Sequence, residues 1–241
     1  MILVLCDEAD HSAFWAAEAL RARGLSPLLL TGADFAAVTR WRHSVGAAGA
    51  DCELHFKGGG RLRGKETGGV LNRLSFVPAA WRRSIGGPDC EYALQEMFAF
   101  YLSWLHALPG PKLNPPTPQG LGGNWRHPSA WAALASAAGL PVAPYRQTSE
   151  DDPAAPWRRQ AGPAAATLHV VGSRVVGPGE LVRSYKESCL RLARAAGATL
   201  LGVEFARDVD AAWRMTRASV TPDLAGGGAD LADSLAEALT S

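Results

Sequence analysis

The chain has 241 residues, 47% of them hydrophobic and 20% charged, which is enough apolar material for one large domain or two modest ones. A net charge of +1 supplies no global field toward nucleic acid or an anionic membrane, so neither is an expected partner. Four cysteines, Cys6, Cys52, Cys90 and Cys189, lie scattered without a CxxC pair, which argues against a disulfide framework or a zinc site and points to a cytoplasmic setting.

Residues 2–6 are apolar and lead directly into Asp7, so they read as a buried strand and not as a signal peptide. Asp10 or Ser12 can cap a helix over 11–23, with Ala13, Ala16, Ala17 and Leu20 at helical spacing and Gly24 as its stop. A second buried strand at 27–30 completes a β-α-β opening, which implies a right-handed crossover and a parallel sheet. Cys52, Leu54 and Phe56 then alternate with Glu53, His55 and Lys57, the period of a half-buried strand, and Gly58-Gly59-Gly60 turns the chain back through 61–63. The glycine triplet lacks a following Lys-Ser/Thr and opens no helix, so a phosphate loop is not expected there. Residues 69–74 read as another interior strand.

The strongest helical pattern runs from 88 to 108, with Leu94, Met97, Phe98, Tyr101, Leu102 and Leu105 forming a core-facing stripe. A proline-rich connector follows, then a helix over 129–138 ending at Gly139. Residues 151–163 are polar and rich in Pro and Ala and read as a surface linker. Strands are predicted at 167–171, 174–176, 199–205 and 213–218, with helices at 180–196 and at the C-terminus, where Leu231, Leu235 and Leu239 recur. The fold class is α/β, and no apolar run approaches membrane-spanning length.

The candidate chemistry is sparse. Asp7, Glu8, Asp10 and His11 cluster where open α/β sheets bind ligands, but capping a helix is the simpler role for them than chelating a metal. His11, His43, His55, His106, His127 and His169 have no paired ligand spacing and read as surface or capping residues. Arg73, on an interior strand, needs a carboxylate, either a ligand's or that of Glu91 or Glu96 on the long helix, and the latter is favoured. Trp41, Trp81, Trp125 and Trp157 sit in loop-like or amphipathic contexts; core is the default for most of them, with an interface as the alternative. Ser75, Ser173 and Ser219 lack the G-x-S-x-G setting of a serine hydrolase, and the first strand-helix turn lacks the G-x-G-x-x-G of a dinucleotide-binding oxidoreductase.

The order of segments resembles the ATP-grasp superfamily, in the branch that joins amino acids to peptides or small carboxylates. The likeness is carried by residues 2–73, with Asp7-Glu8-Ala9-Asp10-His11 and Gly69-Val70-Leu71-Asn72-Arg73. Leu113-Asn114-Pro115-Pro116 and the run to Gly139-Leu140-Pro141-Val142 carry it further. Residues 168–176, Leu201-Gly202-Val203-Glu204-Phe205 and Thr221-Pro222-Asp223-Leu224 complete it. The resemblance implies a pre-ATP-grasp-like domain at 1–110, a connector and linker helix at 111–150, and a shortened α+β ATP-grasp-like half at 151–241. It also implies chemistry in which ATP phosphorylates a carboxylate and an amine displaces the phosphate, which needs cations at the phosphates and carboxylates around magnesium.

Against that pattern the sequence is depleted. Where the family places a phosphate-contacting lysine, this chain reads Arg126-His127-Pro128-Ser129; where it inserts a β-rich subdomain with a second lysine, only residues 145–167 remain, without lysine. The family's metal-binding Glu-x-Asn corresponds to Arg217-Ala218-Ser219, and Glu204 stands without its partners. The expectation is therefore that ATP and magnesium binding are lost and that no metal is held. The chain then binds a peptide or small carboxylate, or pairs with a protein partner or itself, as a non-catalytic subunit in peptide or small-molecule biosynthesis. The alternative is an atypical amide-bond-forming ligase or altered enzyme, with a partner supplying the nucleotide site. Candidate ligand-binding residues are Arg73, Asn114, Glu204, Arg217, Ser219 and Asp223.

Overall fold

A computed structural model describes every residue except 48, 80, 82–84, 86, 146–148, 150–165 and 209. The linker predicted at 151–163, with Trp157, and much of the run 145–167 lie outside the described residues. The chain forms two compact units, Met1–Asn124 with Ala232–Ser241, and Trp125–Leu231.

In the first unit, a parallel sheet is built from β1 (Ile2–Cys6), β2 (Pro27–Thr31), β6 (Gly69–Asn72) and β7 (Lys112–Leu113) in the order β2-β1-β6-β7. All five residues of β1 are buried, as a strand covered on both faces requires, which is why its sequence is continuously apolar. Helix α1 (His11–Arg21) crosses between β1 and β2; Asp10 caps it by accepting from the Ala13 amide at 3.1 Å, and Ala13, Ala16, Ala17 and Leu20 are its buried face. The short α2 (Gly32–Ala36) opens with a reciprocal capping box between Thr31 and Asp34.

Beside these elements stands an antiparallel sheet of β3 (Val38–Gly46), β4 (Gly49–Phe56) and β5 (Arg61–Arg63). The alternation predicted for β4 and the return through β5 are present, but β3 is longer than any strand expected in this region. It pairs with the whole of β4 from Val38↔Phe56 to Gly46↔Gly49. Its inward residue Trp41 packs within 4.9–5.5 Å, centroid to centroid, of Phe35, Phe100, Tyr101 and Trp104. Trp41 is therefore a core residue. The long helix, α3 (Cys90–Ala107), fully buries Tyr101, Trp104 and Leu105, while Leu94, Met97, Phe98 and Leu102 of the expected stripe are half-buried. The stripe is thus deepest in the last two turns, where the aromatic cluster sits. Trp81 donates from Nε1 to the Tyr101 hydroxyl at 3.1 Å, and Trp125 is exposed.

In the second unit, β8 (Ala166–Val171), β9 (Arg174–Val176), β10 (Leu200–Arg207) and β11 (Trp213–Ser219) form an antiparallel sheet in the order β11-β10-β8-β9. One face is covered by α4 (Pro128–Ala137) and α5 (Gly179–Ala196). Leu168, Val170, Leu201, Val203, Phe205, Met215 and Ala218 from the strands meet Trp131, Ala135, Leu181, Cys189, Leu192 and Ala196 from the helices. Gly139-Leu140-Pro141-Val142 leaves α4 and runs along β11, with Met215 N donating to Pro141 O at 2.7 Å and Ala143 N to Met215 O at 2.8 Å. Arg191 donates twice to the Ala138 carbonyl, satisfying the end of α4. The last helix, α6 (Gly228–Thr240), passes into the first unit at Ala232. Among the described residues no helix is long and apolar enough to cross a membrane.

Candidate functional site

The strand register of the second unit sorts its residues onto two faces. Opposite the helix-covered face, β10 presents Gly202 and Glu204; the register places Ser219 and His169 beside Gly202, and Arg217 and Thr167 beside Glu204. Partners directly across antiparallel strands share a face, so these six residues form one polar surface. The sheet thereby brings together Glu204, Arg217 and Ser219 of the expected site, fifteen residues apart in sequence from first to last.

Arg217 donates to the same Glu204 oxygen from Nε at 3.0 Å and from Nη2 at 2.7 Å. The carboxylate is 22% exposed and the guanidinium side chain 69%. Glu204 is thus half-buried with a fixed counter-charge, while the Nη1 group of the exposed Arg217 takes no part in the pair and can engage a second carboxylate. Ser219 Oγ accepts from the Thr221 amide at 3.1 Å, and the Asp223 carboxylate accepts from the Ala225 amide at 3.1 Å. Both side chains shape the segment 219–225, which folds back over the polar face.

That segment explains a residue whose sequence context points to the surface. His169 is 2% exposed, because Asp223 lies over it and accepts from its Nε2 through the backbone carbonyl at 2.7 Å. A carbonyl only accepts, so Nε2 carries the proton and Nδ1 holds the lone pair. Nδ1 is buried without a hydrogen-bond partner among the described residues. Burial pushes the imidazole pKa below its ordinary value, only partly opposed by the bond to Asp223. One sequence signal points to this enclosure: Gly202, in the middle of a strand, sits directly under Pro222, whose ring atoms would meet any added Cβ.

The other two candidates belong to the first unit. Arg73 is 8% exposed and grips Asp10, with Nε to Oδ2 at 2.7 Å and Nη2 to Oδ1 at 3.1 Å. Asp10 is thus a carboxylate partner of Arg73 that the sequence reading, which looked to Glu91 or Glu96 of α3, did not single out. Parallel neighbours β1 and β6 end side by side, with Leu5 opposite Asn72 and the Arg73 amide on Leu5 O, so the residue after β6 meets the helix cap after β1. Asp10 therefore serves as both cap and counter-ion. Asn114 is fully buried and follows a cis Leu113–Asn114 peptide bond. Burial, with Glu8 and Asp10 nearby, raises the Asp7 pKa. Among the described residues, no three His, Cys, Asp or Glu side chains are gathered where they could share a metal ion.

Comparison with solved structures follows this architecture over nearly the full chain. The macrocyclase MdnC bound with precursor peptide MdnA, from Microcystis aeruginosa MRC, superposes with a TM-score of 0.72 at 13% identity, covering 99% of each chain. The macrocyclase MdnB from the same organism gives 0.68 at 16% identity, over 99% of this chain and 98% of that one. A Chryseobacterium gregarium RiPP-associated ATP-grasp ligase, in complex with ADP and a leader and core peptide, gives 0.66 at 10% identity, over 99% and 96%. The fold is ATP-grasp-like. No protein-family model matches the sequence, and no curated protein matches it. At these identities the superposition establishes the ATP-grasp-like architecture, and the residues on it must be read from this chain alone.

Proposed function

We propose that this chain is an ATP-grasp-like protein of peptide biosynthesis that does not itself hold MgATP, and that it binds a peptide or small carboxylate or serves an active enzyme as a partner subunit. The observation that carries this reading is the Glu204–Arg217 pair. A magnesium-triphosphate needs carboxylates around the metal and cations at the phosphates. Here the half-buried carboxylate of the polar face is already neutralised by a guanidinium in its cross-strand position. The single lysine of the second unit, Lys186, is exposed on α5, which covers the opposite face of the sheet. The described residues of this face supply neither a free carboxylate cluster for the metal nor a lysine for the phosphates. The same surface suits an anionic group on a peptide, because Arg217 retains exposed donors beside Ser219. Binding of peptides fits the company of its fold, since the solved structures that share it include one bound with a precursor peptide and one with a leader and core peptide. The four free cysteines suit a cytoplasmic protein.

Titration calorimetry of the full chain with MgATP tests the proposal. No heat at millimolar nucleotide is the expected result; binding with a 1:1 stoichiometry, or turnover of ATP by the isolated chain with amino acids or peptide, overturns it. A second reading, an amide-bond-forming ligase whose nucleotide site comes from a partner, is favoured by the same exposed guanidinium, which could orient a substrate carboxylate. Co-purification from the native host followed by an ATP-dependence assay of the complex, with and without Arg217→Ala, separates the two.

A further inference from the structure

The three-stranded sheet of the first unit carries an unusual charge arrangement on its solvent face. The register aligns Arg40, His55 and Arg61 in one cross-strand row and Arg42, Glu53 and Arg63 in the next. Across residues 38–66 there are six Lys/Arg against three Asp/Glu, in a chain whose total charge is only +1. Glu53 is the single carboxylate of the two rows, and three side chains converge on it: His55 Nε2 at 3.2 Å and the guanidinium groups of Arg61 at 3.3 Å and Arg63 at 3.6 Å. Arg42 reaches the exposed Asp51 at 3.8 Å. Arg40, Lys57 and Lys65 are exposed and make no ion pair among the described residues. The two rows therefore carry four guanidinium groups for one carboxylate, an excess of positive charge that an added anion would offset.

Among the described residues, no strand pairs with the outer edge of the same sheet at β3. Paired among them with β4 alone, this nine-residue strand presents a free row of backbone donors and acceptors. The guanidinium groups stand on both sides of β4, Arg40 and Arg42 on β3 and Arg61 and Arg63 on β5, with one carboxylate, Glu53, between them. A strand added to β3 would place alternate side chains on the charged face, about 7 Å apart along the strand and about 5 Å from Arg40 and Arg42. That spacing matches carboxylates at positions i and i+2 of an extended peptide. A nucleic acid could meet the cations but not the backbone edge.

From this juxtaposition we propose that the β3 edge, with Arg40 and Arg42, is a docking site where an extended acidic peptide with Asp or Glu at alternate positions adds as a fourth strand. This goes beyond the function proposed above and does not depend on whether the second unit holds a nucleotide. The site lies wholly within the first unit.

The test uses the full chain and fluorescein-labelled nine-residue peptides read by anisotropy at low salt. A peptide alternating Glu and Thr is expected to bind at least tenfold tighter than its Gln-Thr counterpart and than a thymidine decanucleotide. The double variant Arg40→Glu/Arg42→Glu, both exposed positions, should lose at least tenfold while keeping the wild-type circular dichroism spectrum and melting temperature. N-methylation of one alternate set of peptide amides should abolish binding and the other set should be tolerated, as addition to one edge requires. Equal binding of the Gln-Thr peptide, tighter binding of the oligonucleotide, indifference to the charge reversal, or tolerance of both N-methyl sets each overturns the proposal.

Discussion

Arg73 and Asp10 lie 63 residues apart in sequence and meet side by side at the ends of β1 and β6, with both carboxylate oxygens engaged by one guanidinium. The pair ties the helix cap of α1 to the strand beside it, so a local capping interaction and the parallel sheet stabilise each other. Removing the cation leaves a carboxylate that is only 17% exposed without its counter-charge. Breaking such a pair from one side typically costs ~3–5 kcal/mol. Arg73→Leu is expected at the lower end of that range, because Asp10 keeps some water and its bond from Ala13. Urea denaturation of Arg73→Leu, Asp10→Asn and the double variant checks this. The double variant should be more stable than the sum of the single losses implies, and strict additivity would show that the two residues do not act together.

Gly202 makes a second prediction about the same kind of long-range constraint. Pro222 occupies the space where a side chain at 202 would stand, and the close approach holds residues 221–224 against the sheet. Gly202→Ala forces the segment outward at a cost of ~1–3 kcal/mol, the usual range for overpacking. The displaced Asp223 carbonyl should also release His169 to solvent. Faster exchange of the His169 ring proton by NMR is the expected local signature, with amide exchange in the first unit unchanged. A Gly202→Ala protein with wild-type stability and an unchanged His169 resonance would remove the packing argument.

What the sequence makes readable follows the range of the interactions involved. The uniform apolar run of β1, the alanine face of α1 and the extent of α5 are set by neighbours within a few turns or by simple two-sided burial, and they are found where expected. β3 is hidden because, after Val38, Arg40, Arg42 and Ser44 alternate with a single apolar residue packed on the core, Trp41, while Val45 is exposed. Its strand character comes from pairing with β4. His169 escapes a local reading for the opposite reason: alternation puts it on the polar face, and nothing nearby in sequence reveals that residues 221–224 return to cover that face. The partner of Arg73 is likewise decided by which strands are adjacent, a property of topology and not of helix spacing.

The enclosure of His169 carries a pH dependence. Its pKa is lowered in the folded protein, so between that depressed value and about 6.5 the unfolded chain binds a proton that the folded one does not. Stability therefore falls as pH drops below about 6.5, by at most ~1.4 kcal/mol per pH unit for one proton, and levels off below the folded pKa. His169→Gln keeps an N–H donor for the Asp223 carbonyl but cannot titrate. Urea midpoints from pH 8 to pH 5 should show the wild-type advantage over this variant shrinking on acidification. A gap that is constant with pH would mean His169 takes up no proton on unfolding.

The Glu204–Arg217 pair supports a gain-of-binding prediction. Replacing Arg217 by Glu and Ser219 by Asn in one variant frees Glu204 from its guanidinium and sets a second carboxylate and an amide oxygen on the same face, as the register dictates. In the absence of metal, two carboxylates facing each other across the strands should cost ~0.2–1 kcal/mol. A hard divalent cation reverses that cost, because oxygen ligands from neighbouring strands then share one positive centre. Manganese at ten times its dissociation constant would restore ~1.4 kcal/mol through preferential binding to the folded chain. Differential scanning calorimetry should show a manganese-dependent rise in melting temperature for Arg217→Glu/Ser219→Asn and none for the wild type. An equal rise in both proteins would mean that the wild-type carboxylate is available to metal despite Arg217, and would remove the electrostatic basis for excluding a nucleotide from this face.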